Sequence, residues 1–140
     1  MTDQTAGDKQ QAMQQAPGQP ASGSKKVLVV DDSVDAADTL GALIGMDDFE
    51  VRVVYGGVAA VNEALAWVPD VVVMDIGMPG MDGYEAARLM RSQAGGRALK
   101  LIALTGWGQA TDRDRASEAG FDQHLLKPID YDSLMNCLHQ

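Results

Sequence analysis

Short apolar runs alternate with longer segments of helical period along most of the chain. Five leucine-rich or β-branched runs predict strands over residues 26–31, 50–55, 71–75, 99–105 and 122–127. Apolar residues at helical spacing predict helices over residues 34–46, 57–67, 84–92, 109–119 and 130–138. Runs such as VLVV and VVVM are apolar without alternation, as expected of strands buried on both faces. The pattern predicts a doubly wound α/β fold with a parallel sheet between two layers of helices.

The first 24 residues differ in composition from the rest of the chain. They are mainly Gln, Gly, Ser, Ala and Pro, with almost no large apolar side chains, and cannot bury enough surface to offset the entropy lost on ordering. We therefore expect a disordered tail over residues 1–24 and one folded domain over residues 25–140.

Charge and hydropathy exclude several classes of function. Eleven Lys and Arg against twenty Asp and Glu give a net charge of −9, which disfavours binding to nucleic acid or anionic lipid. No apolar run reaches the ~18 residues needed to span a bilayer, and the N-terminus lacks the pattern of a secretory signal. We expect a cytoplasmic protein. The single cysteine, Cys137, allows no internal disulfide and is expected to pack in the last helix.

Charged and hydroxyl side chains stand where the predicted strands end. Asp31 and Asp32 end the first strand, Asp75 the third, Thr105 the fourth and Lys127 the fifth. Ligands of doubly wound sheets bind outside the carboxyl ends of the strands, and parallel strands bring those ends side by side. We therefore expect these five side chains to lie in one crevice.

Three clustered carboxylates repel one another, which either raises the pKa of at least one of them or requires a cation, and a hard divalent ion is the natural answer. Carboxylates, a backbone carbonyl and water are typical Mg²⁺ ligands, and the set contains no soft ligand that would favour zinc or copper. We expect Asp32 and Asp75 to bind the metal, and Asp31 to bind it directly or through water. With Lys127 and Thr105 beside it, such a site suits a phosphoryl group.

Glycine-rich phosphate-binding loops are missing from the sequence: neither GxxxxGK[ST] nor GxGxxG occurs. The turn after the first strand is also acidic, which disfavours a nucleotide or flavin phosphate there. The chemistry that remains is a carboxylate nucleophile that takes a phosphoryl group onto itself as an acyl phosphate.

Four segments together resemble the receiver domain of two-component response regulators. They are VVDDS from Val29, VVMDIGMPGMDGYEAARLM from Val72, ALTGW from Ala103 and AGFDQHLLKP from Ala119. Their order and spacing match the family from Lys26 to the C-terminus, and the set is far more specific than any one motif. The resemblance implies a flavodoxin-like fold with sheet order 2-1-3-4-5 and five helices. It also implies a phosphoryl-accepting signalling domain, not an enzyme acting on other substrates.

The resemblance also implies ligands and partners. Asp75 would accept a phosphoryl group from a histidine kinase or a histidine phosphotransfer protein, and a downstream protein of unknown identity would read the change. Asp31, Asp32, Asp75 and the backbone carbonyl of Gly77 would bind Mg²⁺, with Mn²⁺ as a substitute. Docking of the phosphoryl donor is expected at the first helix.

Further roles follow from the same resemblance. Lys127 would pair with the bound phosphoryl group, and Thr105 would turn to hydrogen-bond it, with His124 as the second residue of the switch. His124 is a departure, because many relatives have an aromatic residue there. The Lys127–Pro128 peptide would be cis, and Trp107 would flank the phosphoryl group.

Two other classes of function remain open. One is a phosphorylation-independent protein-interaction domain, against which the complete acidic set argues. The other is a Mg²⁺-dependent phosphatase with an Asp nucleophile. Such enzymes place a second Asp two residues after the first, where this chain has Gly77. Only twelve residues follow Pro128, so we expect no output domain after it, and either a stand-alone receiver or part of a hybrid kinase.

Overall fold

The computed structural model describes residues 25–140 except Pro79, Gly96 and residues 107–109, and describes residues 110–112 by their backbone alone. The tail predicted to be disordered and Trp107 lie outside the described residues. The strands are β1 (Lys26–Val30), β2 (Glu50–Val54), β3 (Val71–Asp75), β4 (Lys100–Thr105) and β5 (Gln123–Leu126). The helices are α1 (Val34–Gly45), α2 (Gly57–Trp67), α3 (Gly83–Ala94), α4 (Ala110–Ala119) and α5 (Tyr131–His139).

All five strands are parallel and form one sheet in the order β2-β1-β3-β4-β5. This confirms the predicted fold class and strand order. In the register of the sheet, Val30 lies level with Val54 and Met74, and Asp75 lies level with Leu104. The carboxyl ends of the central strands therefore meet at one edge, where the polar residues were expected to converge.

The sheet separates two apolar cores. Side chains alternate across each strand, so Leu28 and Val72 face α2, α3 and α4, whereas Val27 and Val73 face α1 and α5. Cys137 is buried in the second core, which confirms its expected packing role. Among the described residues, no helix is long and apolar enough to cross a membrane.

The bounds of β3 and α2 match the prediction, and those of the other elements differ from it by at most two residues. Capping explains two of the differences. Helix α3 begins at Gly83, one residue earlier than predicted, because the Asp82 carboxylate accepts a hydrogen bond from the Glu85 N–H at 2.9 Å. Helix α5 begins one residue later, because Asp130 is its N-cap and accepts a hydrogen bond from the Ser133 N–H at 3.0 Å.

Because the sheet is buried, replacing Leu with Ala should lower the free energy of unfolding far more in a strand than on an exposed helix face. Leu28→Ala removes a fully buried side chain from β1 and should lower the free energy of unfolding by ~2–5 kcal/mol. Leu65→Ala, on α2, removes a side chain that is 61% exposed and should change it by less than about 0.5 kcal/mol. Urea denaturation measures both values, and equal costs would contradict the sandwiched sheet.

Candidate functional site

Three carboxylates lie together at the carboxyl edge of the sheet. Asp31 follows β1 directly, Asp32 comes next, and Asp75 is the last residue of β3. One oxygen from each lies within 4.8 Å of the others. Asp31 and Asp75 are buried, whereas Asp32 is exposed and opens the cluster to solvent. Asp32 and Asp75 are 43 positions apart in the chain, and the predicted convergence is confirmed for the three carboxylates.

Tight backbone turns fix the two buried carboxylates. One oxygen of Asp31 accepts a hydrogen bond from the Ser33 N–H at 3.0 Å, and one oxygen of Asp75 accepts from the Gly77 N–H at 3.1 Å. In both cases the amide lies two residues after the carboxylate. The second oxygen of each side chain lies outside these turns and faces the Lys127 ammonium, and the orientation of both carboxylates is set by the start of the following loop.

An acidic pair before a helix often serves as its cap, but Ser33 has that role here. Its hydroxyl accepts a hydrogen bond from the Ala36 N–H at 3.4 Å, and its backbone is extended as an N-cap requires. Asp32 is therefore not the capping residue of α1. Asp31 and Asp32 lie beside the N-terminus of α1, where the helix dipole stabilises carboxylates, but neither one caps the first turn of the helix.

The surroundings of Asp31 disfavour its ionised form. Burial raises the pKa of Asp31 above its ordinary value, the hydrogen bond from Ser33 opposes that shift, and the neighbouring Asp75 raises the pKa further. Lys127 acts in the opposite direction and lowers it. A bound cation would favour the ionised carboxylate in the same way as Lys127 does.

Lys127 is the basic member of the site. Its ammonium nitrogen lies 3.4 Å from an oxygen of Asp75 and 3.7 Å from an oxygen of Asp31. Its backbone N–H donates to the carbonyl of Thr105 at 2.8 Å, which ties the end of β5 to the end of β4. The Lys127–Pro128 peptide is cis, as the resemblance implied. Of the five side chains expected in one crevice, the three carboxylates and the Lys127 ammonium therefore lie together, and Thr105 is joined to them through its backbone carbonyl.

Thr105 and His124 lie on one face of neighbouring strands. Thr105 is the buried last residue of β4, and His124 is half-buried on β5, level with Ala103. Because side chains alternate along a strand, Thr105 and Ala103 point to the same side of the sheet, the side that α4 covers. This placement is compatible with the paired movement expected of the two residues.

An apolar groove that the sequence did not reveal opens beside the carboxylates. It has a volume of about 510 Å³ and lies between α1 and the segment after β5. Its walls include Leu40, Leu43, Pro128 and Ile129, and Asp31 and Lys127 also line it. The spacing of Leu40 and Leu43 could have suggested an apolar stripe on α1, but the opposite wall depends on tertiary packing.

The donor set fits a hard divalent cation. All available ligand atoms are oxygens, the carboxylates lie close enough to share one ion, and Asp32 leaves a solvent-facing side for water ligands. Gly77 is exposed two residues after Asp75, and its backbone carbonyl would be a further oxygen ligand. Beside such an ion, the Lys127 ammonium would offer a second positive charge to an anionic group. The arrangement suits acceptance of a phosphoryl group by a carboxylate.

Comparison with known proteins identifies relatives over nearly the whole described region. The family model of the response regulator receiver domain matches residues 27–139. Protein PilH of Pseudomonas aeruginosa is 32% identical over 114 residues, which are 81% of this chain and 94% of PilH.

Solved structures agree with these matches. The chemotaxis protein CheY4 of Vibrio cholerae has a TM-score of 0.78 at 26% identity, covering 83% of this chain and 97% of CheY4. The receiver domain of the sensor histidine kinase PA1611 from Pseudomonas aeruginosa, solved with a magnesium ion in its active-site cleft, has a TM-score of 0.75 at 31% identity. That match covers 83% of this chain and 95% of the PA1611 chain. The chain therefore belongs to the response regulator receiver domains of two-component and phosphorelay signalling.

Proposed function

We propose that Asp75 accepts a phosphoryl group from a phosphohistidine of a histidine kinase or histidine phosphotransfer protein. The observation that carries the proposal is the convergence of three carboxylates and the Lys127 ammonium at one edge of the sheet. Asp75 is the carboxylate of β3, it is buried, and it lies close to both the acidic pair and the lysine. Catalysis is confined to the domain's own phosphorylation and dephosphorylation, in the cytoplasm.

Magnesium is the proposed cofactor, and Mn²⁺ a substitute. Asp31, Asp32, Asp75 and the carbonyl of Gly77 would hold it, and the magnesium ion in the PA1611 receiver cleft supports the assignment. When bound, the ion screens the repulsion between the carboxylate and the incoming phosphoryl group. The hydrogen bond from Gly77 would keep the Asp75 carboxylate oriented during the approach.

The transfer step exchanges one bond to phosphorus for another. A carboxylate oxygen of Asp75 attacks phosphorus while the bond from phosphorus to the histidine nitrogen breaks, and the imidazole takes up a proton. Lys127, already 3.4 Å from Asp75, stabilises the negative charge on the transferred phosphoryl oxygens. The product is an acyl phosphate on Asp75.

Two residues of the sheet would transmit the change. Thr105 would turn toward the phosphoryl group, and the space it leaves would admit His124, since both lie on the side of the sheet that α4 covers. This is a shift between two populations whose difference is the set of contacts to one phosphoryl group. A partner protein would read the shifted surface of α4, β5 and α5.

The groove along α1 is the proposed docking site for the phosphoryl donor. Its lining includes the apolar Leu40 and Leu43 as well as Asp31 and Lys127 of the site, so a helix lying in it would bring its phosphohistidine toward Asp75. Apolar anchors in a preformed groove are a common mode of helix recognition.

The metal site predicts stabilisation by Mg²⁺. An ion that binds only the folded state adds about 2.7 kcal/mol at 100 times its Kd, so saturating Mg²⁺ should raise Tm by several degrees. Asp32→Ala should abolish the response, whereas Asp114→Ala, which removes an exposed carboxylate of α4, should keep it. Thermal unfolding with and without Mg²⁺ measures the shift, and an unchanged wild-type Tm would remove the metal site from the proposal.

Phosphorylation itself is tested by intact mass. With Mg²⁺ and a small phosphodonor such as acetyl phosphate, the wild type should gain one phosphoryl group, Asp75→Asn none, and Asp114→Asn one. An adduct on Asp75→Asn would assign the acceptor elsewhere. No adduct on the folded wild type, with a donor shown to be active on another receiver, would favour a phosphorylation-independent interaction domain.

Replacing Lys127 should have opposite effects on Mg²⁺ binding and on phosphorylation. Because its ammonium lies within 4 Å of two of the proposed ligands, Lys127→Met should tighten Mg²⁺ binding about fivefold, or ~1 kcal/mol, and reduce the yield of phosphoryl adduct. Lys100→Met, at the amino end of β4, should change neither the Mg²⁺ affinity nor the yield of phosphoryl adduct. Calorimetric titration and intact mass give the two readouts. Weaker Mg²⁺ binding by Lys127→Met would show that the lysine does not compete with the ion.

A further inference from the structure

The loop between β3 and α3 contacts two glycines whose missing side chains allow backbone to touch backbone. The loop follows Asp75 and contains Gly77, so its position determines where the Gly77 carbonyl lies. Gly57, the buried first residue of α2, approaches the loop from one side, and Gly83, the buried first residue of α3, approaches it from the other.

The contact at Gly57 leaves no room for a methyl group. A Cβ on Gly57 would lie 2.3 Å from the carbonyl oxygen of Met81 and 3.1 Å from its carbonyl carbon, and contacts under 3.0 Å are essentially never seen for real Cβ atoms. The obstructing atoms are backbone, which cannot rotate away as a side chain can. A substitution must therefore move α2 or the loop.

The loop is fixed equally closely at its other end. A Cβ on Gly83 would lie 2.5 Å from the Cα of Ile76, and the Gly83 N–H donates to the Ile76 carbonyl at 3.3 Å. Ile76 stands between Asp75 and Gly77, and its own N–H donates to the carbonyl of Leu104 at 3.2 Å. The segment that carries both proposed metal ligands is thus packed directly against the first residue of α3, which lies two residues after Met81.

We propose that Gly57 is a positioning residue of the metal site. By letting α2 lie directly against the Met81 carbonyl, Gly57 sets the position of the loop and hence of the Gly77 carbonyl relative to Asp31 and Asp75. The inference rests on the proposed function, since it assigns a residue of α2 to the geometry of the same Mg²⁺ site. Gly57 touches neither the ion nor the carboxylates, so it acts only through the loop.

Two other glycines supply matched controls. Gly56, the preceding residue, has an extended backbone with φ of −174°, and a Cβ on it would have no atom within 4 Å, so alanine fits there. Gly41, on α1, is buried, and a Cβ there would lie 2.6 Å from a methyl carbon of the Val53 side chain, far from the loop in the sheet order. Gly56→Ala controls for the chemical change, and Gly41→Ala controls for a steric conflict in a helix.

The experiment measures Mg²⁺ affinity by calorimetric titration and Tm without Mg²⁺ for the wild type and the three variants. Gly57→Ala should weaken Mg²⁺ binding by about tenfold, as changes to groups that orient metal ligands do. Gly56→Ala should keep the wild-type Mg²⁺ affinity and lower Tm only slightly, since Ala is a poorer N-cap of α2 than Gly. Gly41→Ala should lower Tm without changing Mg²⁺ affinity. Wild-type affinity in Gly57→Ala, or an equal loss in Gly41→Ala, would overturn the proposal.

The result also separates this inference from the proposed function. A wild type that binds no Mg²⁺ would contradict the metal site itself, whereas a wild type and a Gly57→Ala variant with equal affinity would contradict only the role of Gly57. If Gly57→Ala fails to fold, amide spectra of the wild type give the answer. Added Mg²⁺ should shift the amide resonances of Gly57 and Met81 but not that of Gly41, and an unmoved Gly57 resonance would overturn the proposal.

Discussion

Repulsion between carboxylates is the constraint on which the site depends. Asp31 and Asp75 are buried and carry oxygens within 4.8 Å of each other, a separation at which two like charges cost about 3 kcal/mol at an effective dielectric constant of about 20. The repulsion persists because the sheet fixes both residues at neighbouring strand ends. Val27 to Val30 and Val71 to Met74 are locked in register, and the carboxylates follow directly from the strand ends.

Lys127 offsets part of that repulsion, and its own position depends on the same sheet. The lysine reaches Asp31 and Asp75 because the bond from its N–H to the Thr105 carbonyl aligns the end of β5 with the end of β4. The central strands thus supply the negative charges and the edge strand supplies the positive one. A ligand that brings both a cation and an anion can replace these contacts with better ones, which is the basis of a switch.

Most of the fold and of the charged cluster could be predicted from the sequence, because both follow from local patterns. Apolar runs such as VVVMD place Asp75 at a strand end whatever the tertiary details, and parallel pairing then brings Asp75 to Asp31. The groove along α1 and the fit of Gly57 against Met81 could not be predicted. Both depend on the packing distance between two elements, which no local pattern encodes. A glycine at the start of an apolar helix looks the same in the sequence whether its Cα faces solvent or packs against a carbonyl.

The alternation of side chains across the sheet has a further consequence. The groove lies on the side of the sheet that carries Leu104, with α1 and α5, whereas Thr105 and His124 lie on the side of Ala103, with α4. The sheet therefore separates the proposed docking groove from the two proposed switch residues. A donor resting against α1 would leave α4 open to a reader, so only the α5 part of the proposed reading surface shares the donor's side of the sheet.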